Sequence, residues 1–393
     1  MMAKLDRRSF LKSSALAAIP ALSISSAFAD SKPELSENFK ASDRVVFRFD
    51  GAQLSPMEYL NKLQKINSDS PIQMDSYGKG GVVEALEKKF AEITGKEKAI
   101  YMPTGTLANQ LAIAALSGNQ PKVIVQDISH INRDEADANL VFNKQLVPLA
   151  DNKTYFTAID LEDKIKRLPS EEYFYSGIGA VSVENPVRRA FGEYIPFEEL
   201  KAIKKVCDEQ SIKMHLDAAR IYIASAWSGV SIQEYSSLFD TVYISLYKYL
   251  GSNGGAILCG DAALIDELPR HIKIHGGNIQ SNWENAAMAL HALDTIEQKW
   301  KDVKKRSDEL LASLELMPGV SIRAKENPTN IYFLQFPENL QIEQMSKRLS
   351  EEFNIQINAN PNSKVLMLMM NETLLNQPLE KITQAFKVCI SQS

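Results

Sequence analysis

A chain of 393 residues, 45% hydrophobic and 24% charged, is long enough to bury a large core and lies outside the compositions of disordered or fibrous proteins. Its formal charge is -5, and the first 29 residues carry +3 (Lys4, Arg7, Arg8 and Lys12 against Asp6), so the remainder lies near -8, which argues against nucleic acid as a partner. Cys207, Cys259 and Cys389 are too few and too scattered for a disulfide framework; Cys207 on a helical pattern and Cys259 on an apolar strand read as small buried hydrophobes.

The chain opens on an address. Arg7-Arg8-Ser9-Phe10-Leu11-Lys12, a small-residue apolar run from Ala15 to Ile24, and Ala27-Phe28-Ala29 make a Tat-type secretory signal, removed on export. The run is shorter than the ~20 residues that span a bilayer, so residues 1–29 are expected to leave a periplasmic protein with no membrane attachment. Residues 30–44 are polar, contain Pro33 and read as a mobile lead.

Val45 to Gly51 predicts a short strand ending in a turn, and Ser55-Pro56-Met57-Glu58 an N-cap opening a helix to about Ile66. A glycine loop, 75–81, precedes a helix from Val82 to Thr94. The strand Ala99 to Met102 then runs into Thr104-Gly105-Thr106 and a helix from Leu107 to Leu116. A strand, a small hydroxylated glycine turn and a helix N-terminus form a phosphate cradle, because unpaired N–H groups and the helix dipole favour an anion there. The strand Val123 to Gln126 is followed by His130 and Glu135, and the strand Ala180 to Val183 by Glu184-Asn185-Pro186-Val187-Arg188-Arg189. Two adjacent arginines at the end of a strand suit a substrate carboxylate or a second acid group.

After a helix from Phe197 to Gln210 come apolar runs ending in Asp217 and, past Ser245, in Lys248, with a further run from Gly255 to Cys259. They read as parallel strands with chemistry at their carboxyl ends, which sets Asp217 and Lys248 in one crevice. An amine that forms a Schiff base and a carboxylate that keeps a pyridine nitrogen protonated are what pyridoxal phosphate (PLP) requires. A helix from Trp283 to about Leu314, strands at 330–336, 355–357 and 365–369, and helices at 342–353 and 378–390 complete a smaller α/β unit.

His215-Leu216-Asp217-Ala218-Ala219-Arg220, followed by Ser245-Leu246-Tyr247-Lys248-Tyr249-Leu250-Gly251, resembles the threonine aldolase and β-eliminating lyase family of fold type I PLP enzymes, over most of the chain after about Arg44. The resemblance implies an α/β fold: a large PLP-binding domain, 45–300, whose mostly parallel sheet is flanked by helices, and a small C-terminal α/β domain, 301–393. It implies PLP on Lys248, Asp217 at the ring nitrogen, His130 over the ring, Asn185 at the ring hydroxyl, and Thr104, Gly105 and Thr106 on the phosphate. Arg220 is implied beside the cofactor and on the substrate carboxylate. Glu135, Arg188 and Arg189 join it as candidate substrate-binding residues, and no metal is expected. A homodimer or homotetramer with the site at the subunit interface is implied as well.

The reaction implied first is retro-aldol cleavage of a β-hydroxy amino acid to glycine and an aldehyde; β-elimination, racemisation and transamination use the same machinery, and the orientation of the breaking bond decides among them. Several positions depart from the family. Phe49 replaces a serine, Ala136-Asp137-Ala138 replaces Ala-Gly-Gly, Pro186-Val187-Arg188-Arg189 replaces a Thr-His pair and glycines, Gln280 replaces an arginine, and no arginine follows Arg348, Lys364 being the nearest cation. These changes predict weak activity on threonine and better activity on another amino acid. Two other classes compete with this reading. Ser245-x-x-Lys248 also matches a serine-enzyme string, but the chain lacks the later K-T-G-like strand which that enzyme needs. A PLP-fold binding protein without chemistry is opposed by intact His130, Asp217, Arg220 and Lys248.

Overall fold

Short β-branched runs alternating with amphipathic helices assemble here into one seven-stranded sheet and two smaller ones. The computed structural model describes residues 41–337, 340–360 and 363–391; the signal-peptide reading of 1–29 and most of the 30–44 lead lie outside the described residues. In chain order the strands are β1 (Val45–Val46), β2 (Lys98–Met102), β3 (Lys122–Gln126), β4 (Gln145–Leu149), β5 (Ile178–Glu184), β6 (Lys213–Asp217), β7 (Thr241–Ser245), β8 (Ala256–Gly260), β9 (Ser321–Arg323), β10 (Ile331–Gln335), β11 (Ile355–Gln356) and β12 (Val365–Met369).

The large sheet has the order β2-β8-β7-β6-β5-β3-β4. Every residue of β3, β5, β7 and β8 is buried, the pattern of strands covered by helices on both faces. One expectation is corrected. β8 pairs antiparallel with both β7 and β2, so it alone runs against the others. The reason is the connection: residues 246–255 contain no helix, whereas a parallel return needs a crossover of a dozen or more residues. The remaining strands share one direction, and their carboxyl ends open on one side. There stand Thr104 after β2, His130 after β3, Glu184 ending β5, Asp217 ending β6 and Lys248 after β7.

The predicted helix cap at Ser55 holds. Ser55 Oγ accepts from the Glu58 N–H while the Glu58 carboxylate accepts from the Ser55 N–H, closing a capping box on the helix Pro56–Asp69. The long helix expected from Trp283 to Leu314 is instead two, Trp283–Leu293 and Ile296–Glu315, with a break at Asp294 and Thr295. The boundary expected near residue 300 falls inside the second of these.

Beyond it, β9, β10 and β12 form an antiparallel sheet, while β1 pairs parallel with β11, far from it in sequence. This pairing matters for the site. Asn371 Nδ2 donates to the carbonyls of Val46, Arg48 and Phe49 at 2.8, 3.1 and 3.2 Å, and Glu372 Oε1 accepts from the Ala52 N–H at 2.9 Å. The C-terminal part thus grips a strap, residues 46–52, which carries Phe49 and Asp50 to a pocket that Lys248 also lines. Even the lead is tied where it is described, Gln377 Nε2 donating to the Asp43 carbonyl at 2.7 Å.

Candidate active site

Lys248 is held by what surrounds it in the chain. Leu246 and Leu250 are fully buried and Tyr249 nearly so, with the Tyr249 hydroxyl accepting from the Tyr222 N–H at 3.2 Å and its ring packed edge-on against Trp300 at 5.6 Å. Burying each such side chain contributes roughly 1.5–3 kcal/mol, enough to fix the backbone at a half-exposed lysine between them. The Lys248 ammonium lies 3.2 Å from the Tyr247 hydroxyl and 4.6 Å from that ring's centroid. It lines a crevice of about 360 Å³ with Thr104, Gly105, Thr106, His130, Glu135, Glu184, Asp217 and Arg220.

At the cradle, Thr104 caps the helix Gly105–Ser117, its Oγ1 accepting from the Leu107 N–H at 3.2 Å. Gly105 and Thr106, in the first turn of that helix where N–H groups have no intrahelical acceptor, line the crevice. Gly105 is required for packing: a Cβ there would lie 2.0 Å from the Tyr243 hydroxyl.

Asp217 sits deep, 4% exposed, with Oδ1 accepting from the Ala219 N–H at 3.1 Å and Oδ2 from Asn109 Nδ2 at 3.0 Å. Asn109 is a junction. Its amide also donates to Glu135 Oε1 at 2.8 Å, and its Oδ1 is 3.0 Å from His215 Nε2, whose Nδ1 is 2.9 Å from the Thr241 hydroxyl. An amide oxygen only accepts, so His215 carries its proton on Nε2 and accepts from Thr241 at Nδ1. Burial pushes the His215 imidazole down to about 4, keeping it neutral.

Glu135 takes a further hydrogen bond from Gln110 Nε2 at 2.6 Å and lies 3.0 Å from His130 Nδ1. The bond to His130 is the main reason that imidazole is raised above its ordinary value, against the opposing effect of burial. In cofactor-free protein, NMR of the five histidines should therefore show His130 titrating above its ordinary value and no titration of His215 between about pH 5 and 8. A His215 midpoint near ~6.5, the value of an unperturbed imidazole, would mean that the Thr241–His215–Asn109 chain is not formed in solution.

Not every expected residue converges. Asn185 is fully buried and does not line the crevice: its Oδ1 accepts from the Ile195 N–H at 2.8 Å. The preceding residue does. Successive strand residues face opposite sides, so Glu184 rather than Asn185 points inward. Its carboxylate accepts from the N–H groups of His130 (2.6 Å) and Arg188 (2.8 Å), and burial, aided by the Asp217 charge, pushes it up to about 7.

Glu135 lines the crevice but its side chain is fully buried behind His130, a positioning role rather than a substrate contact. Arg189 also points elsewhere, bound through two nitrogens to Asp134 at 3.0 and 2.5 Å. Arg220 is committed in part, its Nε and one Nη each 2.9 Å from the two oxygens of Asp50. Lys364 donates to the Leu340 carbonyl at 3.1 Å and lines neither part of the site.

Sequence reading missed Asn109, Gln110, Glu184, Thr241 and His215. Only His215 left a signal, two residues before Asp217 and hence on the same strand face. The atoms of His130, Glu135 and Asp217 lie within 4.8 Å of one another. With Asn109 between the two carboxylates, they read as a hydrogen-bonded set beneath a bound group. The donor set suits PLP: an amine at the wall, a carboxylate at the floor for a pyridine nitrogen, an imidazole beside them and a helix start for a phosphate.

The beta-eliminating lyase family model matches residues 64–337. Over 212 residues the chain is 34% identical to the low-specificity L-threonine aldolase of Candida albicans, covering 53% of this chain and 56% of that protein. It is 31% identical over 211 residues to the alanine racemase TOXG of Cochliobolus carbonum, covering 53% of each. The matched stretch thus spans little more than half the length of these curated relatives. In fold the chain is similar to a putative L-allo-threonine aldolase from Listeria monocytogenes, with a TM-score of 0.74, 24% identity, and coverage of 88% of this chain and 96% of that one.

Proposed function

Because this chain belongs to the beta-eliminating lyase family, we propose that it is a PLP-dependent carbon–carbon lyase that cleaves a β-hydroxy amino acid to glycine and an aldehyde. The observation that carries the reading is the placement of Lys248, Asp217, His130 and the Thr104–Thr106 turn in one crevice. PLP, when bound, supplies a carbonyl for the amino group and a protonated ring that draws electron density from a bond broken at Cα.

The chain's own residues do the rest. Lys248 would hold the cofactor through its amine, at the place where the substrate's amino group binds. Asp217, oriented by Asn109 and the Ala219 N–H, keeps the ring nitrogen protonated. Arg220, braced by Asp50, retains donors for a carboxylate. Retro-aldol cleavage needs the β-hydroxyl proton removed, and His130 Nε2 is the ring nitrogen not held by Glu135.

The experiment is product identification from L-threonine, L-allo-threonine and L-alanine. Glycine with acetaldehyde from the hydroxy amino acids is expected. Racemisation, the second reading, is favoured by the alanine racemase relative, which aligns nearly as well as the aldolase; inverted alanine without glycine from threonine would establish it instead.

Export is part of the proposal, supported by Arg7-Arg8 and the Ala27-Phe28-Ala29 site. Replacing both arginines by lysine should leave the protein in the cytoplasmic fraction of an expressing bacterium, and unchanged fractionation would sink the export claim. Association of two or more copies is supported by exposed Met57, Leu60, Met74, Tyr77 and Ile279.

A further inference from the structure

Beside the crevice lies an outer pocket of about 430 Å³, into which Phe49, Asp50, Gln53, Arg188, Arg220 and Tyr247 project together with His130 and Lys248. Its charges are unevenly matched. Arg220 has Asp50 to itself, two nitrogens on two oxygens at 2.9 Å. Lys248 is taken by the cofactor in the proposed lyase. Arg188 shares Asp134 with Arg189, and Arg189 occupies both oxygens of that carboxylate, leaving Arg188 a contact at 3.4 Å. Two guanidinium groups against one carboxylate leave a positive charge over. The nearby Glu184 carboxylate is engaged by the backbone N–H groups of His130 and Arg188 and not by the Arg188 guanidinium.

The apolar surface points the same way. Among the described residues no aliphatic side chain lines the outer pocket, whose two apolar side chains are the Phe49 and Tyr247 rings. A threonine methyl would find no aliphatic partner. A carboxylate would meet the half-exposed Arg188, which can present a planar fork to it.

We infer that Arg188 selects an amino-acid substrate bearing a second carboxylate on its side chain, so that the preferred substrate class is an acidic β-hydroxy amino acid such as 3-hydroxyaspartate. This rests on the reading that the crevice takes an amino acid through PLP. It makes Arg188 a specificity-determining residue, with Arg189 holding Asp134 and so limiting Arg188's retreat.

The test uses the holoenzyme and two nearly isosteric amino acids without the β-hydroxyl, L-aspartate and L-asparagine. Their Kd values are read from the change in cofactor absorbance, in wild type, Arg188→Leu and Arg188→Lys. Aspartate should bind at least about tenfold more tightly than asparagine, or ~1.4 kcal/mol. The ratio should fall to about one in Arg188→Leu and recover in part in Arg188→Lys. Equal affinities in wild type overturn the inference. So does an Arg188→Leu loss that is the same for both ligands, which would place Arg188 on the α-carboxylate. The underlying reading fails separately: discrimination through Arg188 without glycine production from 3-hydroxyaspartate or threonine would sink the lyase and keep the selectivity, whereas threonine cleavage without discrimination would do the reverse. Absence of a spectral response to either ligand overturns the selectivity, and together with absence of threonine cleavage it overturns both.

Discussion

Lys248→Ala should abolish turnover while leaving the fold intact, with a loss of at least ~10³-fold, or about 4 kcal/mol of transition-state stabilisation. The lysine's side chain meets Tyr247 at the crevice wall, and Leu246, Tyr249 and Leu250 keep the backbone in place without it. Stability should change by no more than about 0.5 kcal/mol, as for a surface substitution. Circular dichroism with a denaturation curve checks the fold, and a steady-state assay checks turnover. Wild-type rates in a folded Lys248→Ala protein would remove Lys248 from the chemistry.

The second large effect belongs to Asp217→Asn. An amide can still meet Ala219 or Asn109, so the site should stay closed and PLP should bind. It cannot balance the charge of a protonated ring nitrogen, so the rate should drop by ~10² or more, about 3 kcal/mol. The pairing with Asn109 is a useful control. Asn109 Nδ2 faces a carboxylate in wild type and would face either an oxygen or an NH₂ group in the variant, so some loss of PLP affinity is expected alongside the kinetic effect. A variant with full activity would show that the buried carboxylate is structural.

Much of this candidate site is legible in the sequence because its residues stand at or just after the ends of strands. Asp217 and Lys248 follow apolar runs, and Thr104–Thr106 lies between a strand and a helix, so their convergence follows from the rule that open α/β sheets bind at the carboxyl ends of strands. The hidden part is the support. Asn109 is 108 residues from Asp217 and 26 from Glu135, joined to both only through tertiary packing. Within an apolar helix it gives no sign of facing carboxylates.

The departures have physical causes too. Resemblance puts Asn185 at the cofactor, but strand alternation turns Glu184 inward and Asn185 toward Ile195. Arg188 and Arg189 are indistinguishable in sequence; in a 3₁₀ turn, Arg188–Ala190, Arg189 takes both oxygens of Asp134, while Arg188 keeps one longer contact to it and lines the pocket. β8 carries the same apolar composition as its parallel neighbours, and only the helix-free connection from β7 reveals its reversal. Asp50, 170 residues before Arg220, reaches it because the C-terminal Asn371 and Glu372 hold the strap.

The central claim is that this crevice carries PLP on Lys248, and covalent trapping tests it directly. The protein is loaded with PLP, reduced with borohydride, digested and mapped by mass spectrometry. A pyridoxyl group on the peptide containing Lys248, absent from Lys248→Ala, is the predicted result; a colourless protein that takes up no PLP, or a label spread over surface lysines with none at Lys248, would contradict it.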